Sequence, residues 1–448
     1  SQQQRQMVVK LPVKTMIIKD KGLKIKIGVL GLSANIINII IGSGIFVLPA
    51  IVAGYMGASG VLAYLFCGFL MAMVMLCFAE AGSKVTNTGG PYTYIEAAFG
   101  DYAGFISGVF VIITFFFADA AVSNALVDVL ATLSPSFFEL DWARTFVLCS
   151  LFFGLAFINV LGIKQGIGLV KFNTVIKLLP LLLLVIVGFK DISIDNIVIE
   201  SLPKLSTLGA TSLILFFAFQ GCESGLIVGG EVINPKRIVP RAIFISICTV
   251  LIVYILIQTV AQGLLGDNLP NYKATPLAEA AKAVLGESGY MLLIIGAVIS
   301  MFGYMSGAIL NGPRVVYALS RDRILPVKAF SKIHKKYATP YVAIIIYASL
   351  GFLFATTGSF QQLAVIATSS MLIVYLGVAL SVIKLRTRDF KDSDSFKIPG
   401  GLLVPILAIG IILYFLSNIT LNEVIGTVSL IGILSLFYWI RKIRIKTK

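Results

Sequence analysis

From Ile27 to Ala79 the chain carries no charged residue. Few folds accept such a run. A soluble domain would leave part of it in water, whereas the hydrocarbon core of a bilayer takes a helix of about 20 apolar residues. The run is too long for one span, and Gly54 to Gly60 divides it into a pair. Tyr337 to Ile383 repeats the pattern, divided near Thr356 to Ser359. Apolar residues make up 58% of the 448, against roughly 45–50% in soluble domains. Reading each apolar run as a helix predicts twelve spans, at about 27–54, 58–83, 103–132, 143–162, 167–189, 206–230, 240–265, 287–319, 340–357, 361–384, 402–419 and 424–440. The expected fold class is an all-α integral membrane protein. A single domain over 27–440 lies between basic tails at 1–26 and 441–448.

The net charge of +15 has a placement that explains it. With the N-terminus inside, 29 of the 36 Lys and Arg fall in inner segments and five in outer loops, while Lys177 and Arg314 lie within spans. This is the positive-inside pattern of a multi-pass cell-membrane protein with both termini cytoplasmic. The basic excess therefore reads as topology facing a lipid bilayer, and no nucleic-acid partner is expected. The first 26 residues lack the apolar segment of a cleavable signal peptide. One histidine, His334, is too few for haem or zinc chemistry. The five cysteines fall inside apolar stretches without a CxxC pair. No metal, no cofactor and no disulfide-linked subunit are expected.

Polar and helix-breaking residues at mid-membrane depth are expensive, so they point to function. The first span reads Asn38-Ile39-Ile40-Ile41-Gly42-Ser43-Gly44-Ile45-Phe46. Unwinding there would expose N–H groups at the start of the following half-helix, a site for a carboxylate. The same glycines also suit a close helix–helix packing notch, and the spacing leaves both readings open. The sixth span carries Phe217-Ala218-Phe219-Gln220-Gly221-Cys222-Glu223. Two interruptions five spans apart point to inverted repeats, about 27–189 and 206–384, as in secondary transporters. Asp119, Lys177 and Glu223 lie near mid-span, where a charge costs about 2.5–3.5 kcal/mol. Glu80, Asp128 and Arg314 lie closer to span ends, where capping or a local ion pair accounts for them.

Five ordered segments carry a resemblance: Gly42 to Phe46 with Pro49, Gly89-Gly90-Pro91-Tyr92 with Tyr94, Phe219 to Ser224, Glu231-Val232-Ile233-Asn234-Pro235, and Arg314 through Asp322 to Pro326. The chain resembles amino acid permeases of the amino acid–polyamine–organocation superfamily. It lies near the basic amino acid/polyamine antiporters and the light-chain-type exchangers. The resemblance implies a five-plus-five inverted repeat of leucine-transporter type with two extra C-terminal helices. It implies that N–H groups of Ser43 and Gly44 take the substrate carboxylate. Carbonyls near Ile40, Phe217 and Gln220 would take the α-amino group. Phe217 falls at an aromatic gate, and Lys177 falls where sodium-independent members carry a lysine in place of a sodium ion. Arginine antiporters carry tryptophan where Ala308 stands and an amide where Asp119 stands, so arginine exchange does not carry over. Asp119 is left to pair with a substrate cation, with Lys177 or with a proton.

The candidate substrate-binding set is thus Ile40, Gly42, Ser43, Gly44, Asp119, Phe217, Gln220, Gly221 and Ala308. Lys177, Glu223 and Phe217 are the coupling or gating candidates. The expected function is sodium-independent secondary active transport of amino acids, by proton-coupled symport or exchange. The alternatives are a cationic amino acid or polyamine antiporter and, more remotely, a channel or nutrient receptor. The lack of a His, Cys or Ser–His constellation argues against an enzyme.

Overall fold

α1 (Val29–Ile40) stops in mid-run, and α2 (Gly44–Met56) resumes after three irregular residues. The fold is known from a computed structural model describing residues 28–85, 90–162, 167–223, 235–321, 325, 327–387 and 396–446. The N-terminal tail predicted from the charge pattern falls outside these residues, as do Glu231 to Asn234, Asp322 and Pro326, whereas the predicted C-terminal tail from 441 continues the last helix as far as Lys446. Gly57, with φ of 51°, ends α2 and turns the chain through a short 3₁₀ segment into α3 (Gly60–Lys84). Gly90 and Gly100, both at positive φ, bracket a short α4 (Pro91–Phe99) that the apolar pattern does not reveal. Pro91 opens it at the position where a missing N–H costs nothing.

α5 (Asp101–Leu133), the brief α6 (Pro135–Phe138), α7 (Ala143–Val160) and α8 (Ile167–Gly188) complete the first half. α9 (Leu205–Leu215) tightens into 3₁₀ geometry over Phe216–Phe219. Then come α10 (Pro235–Leu265), α11 (Pro276–Arg321), α12 (Tyr341–Ala355), α13 (Phe360–Thr387), α14 (Leu403–Leu416) and α15 (Leu421–Lys446). α11 begins well before the run predicted at about 287 and bends at Gly286, whose φ is 65°. The described residues contain no strand. Seven helical stretches among them are long and apolar enough to cross a bilayer, including Asp101–Leu133 and Phe360–Thr387. The protein is a multi-pass membrane protein.

The centre of the bundle is α5, packed along α13 and flanked by α11 and α12. α10 lies against α1 and α3, and α8 against α11. Gly296 of α11 permits this last approach, since a Cβ there would sit 2.9 Å from the ring of Pro180. α15 stands apart, with no buried residue between Leu421 and Ile440. It meets α5 through Ser435 and the rings of Tyr438 and Trp439 around Tyr102.

The charged residues near helix ends are paired locally. Asp128 of α5 lies 2.6 Å from Arg144 of α7, and the same guanidinium also donates to Asn124. Arg314 donates to the carbonyl of Leu310 one turn back. Glu80 is fully buried at the end of α3. It accepts from Lys84 at 2.8 Å and from Arg386 of α13 through both oxygens, at 2.7 and 2.5 Å. It also accepts from the Ile398 N–H at 2.9 Å, which ties down the segment entering α14.

Candidate functional site

The two interruptions face one another. In the first, Ile41 N–H still closes a helical bond to Ile37, but Gly42 N–H turns back to the Ile40 carbonyl at 2.7 Å. The carbonyl of Asn38 therefore loses the amide four residues on that would have bonded it. The ammonium of Lys177 replaces that amide, donating to Asn38 O at 2.5 Å. A cation at the C-terminal end of a half-helix also meets the negative end of its dipole. Lys177 is buried.

In the second interruption Gln220 is extended and Gly221 has φ of 93°, after which the chain is helical again at Cys222. A residue with a Cβ is strained in that conformation. Tyr254 of α10 joins the breaks. Its hydroxyl lies 3.0 Å from the carbonyl of Ile40 and 2.9 Å from that of Ala218. Ile40 O accepts the Gly42 N–H, and the single phenol proton of Tyr254 lies between Ile40 O and Ala218 O.

The Gly42-Ser43-Gly44 segment combines both sequence readings. The helix does unwind at Gly42 and Ser43, and a Cβ on Gly42 would find nothing nearer than 3.8 Å. Gly44 is the packing notch: a Cβ there would sit 3.0 Å from Ala218 Cα. Substituting Gly44 therefore tests packing and ligand access together. Gly44→Val is expected to push the breaks apart and abolish substrate binding, with a lower thermal midpoint in detergent. Gly42→Ala is the contrasting variant, expected to keep the wild-type midpoint. Full binding by Gly44→Val in a scintillation proximity assay would contradict this.

The remaining candidates divide into separate groups. Phe217 is buried and meets Phe360, at the start of α13, edge to face at 5.7 Å. Ser43 is buried and does not cap α2 with its side chain. The Nε2 of Gln220 is buried without a hydrogen-bond partner among the described residues, and an unmade buried bond costs about 1–3 kcal/mol. Glu223, half-buried, accepts from Tyr375 of α13 at 2.7 Å.

Asp119 does not pair with Lys177. Its two oxygens accept from Tyr347 of α12 at 2.6 Å and Tyr304 of α11 at 3.2 Å. Ala308 lies half-buried one turn along α11 from Tyr304. The sequence reading missed Tyr254, Tyr304, Tyr347, Tyr375 and Phe360. The available signal was the position of the tyrosines within apolar helices, since a buried phenol needs a partner for its hydroxyl.

Among the described residues no group of His, Cys, Asp and Glu could hold a metal ion. Two broken helices thus meet in mid-bundle, with an orphaned amide and a buried ammonium at the breaks. The chain belongs to the amino acid permease family, whose model matches residues 27–440. It is a transporter of amino acids and not an enzyme. The serine/threonine exchanger SteT of Bacillus subtilis is 30% identical over 95% of this chain and 98% of its own length. The branched-chain amino acid permease BcaP of the same organism is 26% identical over 94% of each. The large neutral amino acids transporter small subunit 2 of Oryctolagus cuniculus is 28% identical, over 72% of this chain and 62% of its own.

Proposed function

We propose that this permease exchanges neutral amino acids without sodium, by alternating access around the two breaks. The fold would be the five-plus-five inverted repeat plus two further helices, as one domain over about 27–440, with both termini cytoplasmic. The N–H groups at the start of α2, by Ser43 and Gly44, would take the substrate carboxylate together with Gln220 Nε2. The observation that carries this reading is that unpartnered buried amide, placed where the second helix breaks. An anion at a half-helix N-terminus is favoured by the peptide dipoles. The α-amino group would meet carbonyls near Ile40, Phe217 and Gln220. Phe217 against Phe360 would gate access, and Glu223 with Tyr375 would carry any proton coupling.

Neutral side chains are favoured over cationic ones because Asp119 is buried with a tyrosine on each oxygen. The serine/threonine, branched-chain and large neutral specificities in the names of the three relatives agree with this. Sodium independence is supported by Lys177, whose buried ammonium would repel a cation beside α1. The test is counterflow in proteoliposomes loaded with L-serine, L-leucine or L-arginine, with sodium and pH gradients imposed in turn. Internal neutral amino acid is expected to accelerate uptake of its labelled form, with no response to sodium. Acceleration by arginine alone, or none by any substrate, would overturn the reading.

A further inference from the structure

α11 has two faces. Met291, Ile295 and Phe302 are exposed along one side, as a lipid-facing stripe. At about 100° of turn per residue, Ser300, Tyr304, Gly307 and Asn311 fall on the opposite side, toward the bundle. Apolar packing would bury that side. Instead Tyr304 is 37% exposed and Asn311 is exposed as well. A Cβ built on Gly307 would meet nothing within 4 Å. An exposed tyrosine in mid-helix, facing away from the lipid stripe, borders an internal space. α11 also packs against α2, which starts at the first break, so the helix lies beside the site.

The orientation of that hydroxyl is fixed. Tyr304 donates its one proton to Asp119, and Tyr347 occupies the other oxygen of the carboxylate. A phenol whose proton is committed offers only oxygen lone pairs to the open space. We propose that Tyr304 reads the substrate side chain, presenting a fixed acceptor that selects amino acids with a side-chain hydroxyl. Asp119 then acts through Tyr304 and touches no substrate. Ala308, one turn further, adds only a methyl group and leaves the phenol accessible. The assignment rests on the neutral-exchange reading of the same site. A site built around a substrate hydrogen bond discriminates against the isostere that lacks the donor, because its own polar group is left unpaired.

The test uses L-threonine and L-valine, which differ by a hydroxyl in place of a methyl, as competitors of labelled L-serine counterflow in proteoliposomes. Wild type is expected to bind threonine about tenfold more tightly than valine, and Tyr304→Phe is expected to bring that ratio close to one. Tyr347→Phe removes the other donor to Asp119 and leaves Tyr304 in place, so its ratio is expected to stay near that of wild type. If Tyr347→Phe loses the ratio as fully as Tyr304→Phe, the effect is loosening of the bundle and the assignment falls. It falls equally if wild type does not separate threonine from valine, or if Tyr304→Phe retains the ratio. In those outcomes neutral exchange still stands. Absence of any neutral amino acid counterflow in wild type overturns both readings.

Discussion

Lys177→Met is expected to lower the initial exchange rate by about ten- to a hundredfold per inserted molecule. The substitution keeps the length of the side chain and removes the donor that closes Asn38 O at the first break. A hydrogen bond from a charged group is worth about 1.5–3 kcal/mol, and the exposed end of α1 would have to find that energy elsewhere. The lysine ties α8 to α1, so the variant should lose rate through a changed balance between access states. Rates in proteoliposomes, normalised to the reconstituted protein, check this. A variant that exchanges at the wild-type rate contradicts it, and so does clear stimulation of wild type by sodium at constant pH.

Glu80→Gln is expected to give the largest loss of stability, about 3 kcal/mol. The buried carboxylate holds Lys84, Arg386 and the Ile398 N–H at once. An amide keeps the shape but leaves two cations without a counter-charge, and the Arg386 side chain retains only 21% of its exposure. The lower end of the range for broken buried pairs applies because that guanidinium still reaches water. The thermal midpoint in detergent is expected to fall by several degrees, and Arg386→Gln in the same chain to cost less than it does alone. Additive losses in the double variant would show that Glu80 and Arg386 act independently.

Both helix breaks were readable in the residues. Gly42-Ser43-Gly44 and Gln220-Gly221 mark breaks because glycine and polar residues weaken a helix wherever it packs. The structure unwinds both within a residue or two of the expected positions. The role of Gly44 was only half readable, since its packing surface is Ala218 on another helix. Asp119 had three prospective partners in the sequence, and its actual partners are two tyrosines. Tyr347 is 228 residues away along the chain and Tyr304 is 185 away. Tyr254 likewise reaches Ile40 across 214 residues. No local pattern encodes such separations.

The sequence by itself determined the solvent and the weak points. Charge-free runs demand hydrocarbon, and glycine permits φ values that other residues resist. Each of these follows from the energy of a residue in its own stretch of chain. The tertiary structure alone decided which polar groups satisfy one another: Lys177 on Asn38 O, Tyr254 between the breaks, two tyrosines on Asp119, and Arg386 on Glu80. A buried donor or acceptor must find a partner within about 3 Å. Which partner that is depends on which helices touch and at what height, and that is a property of the packed bundle.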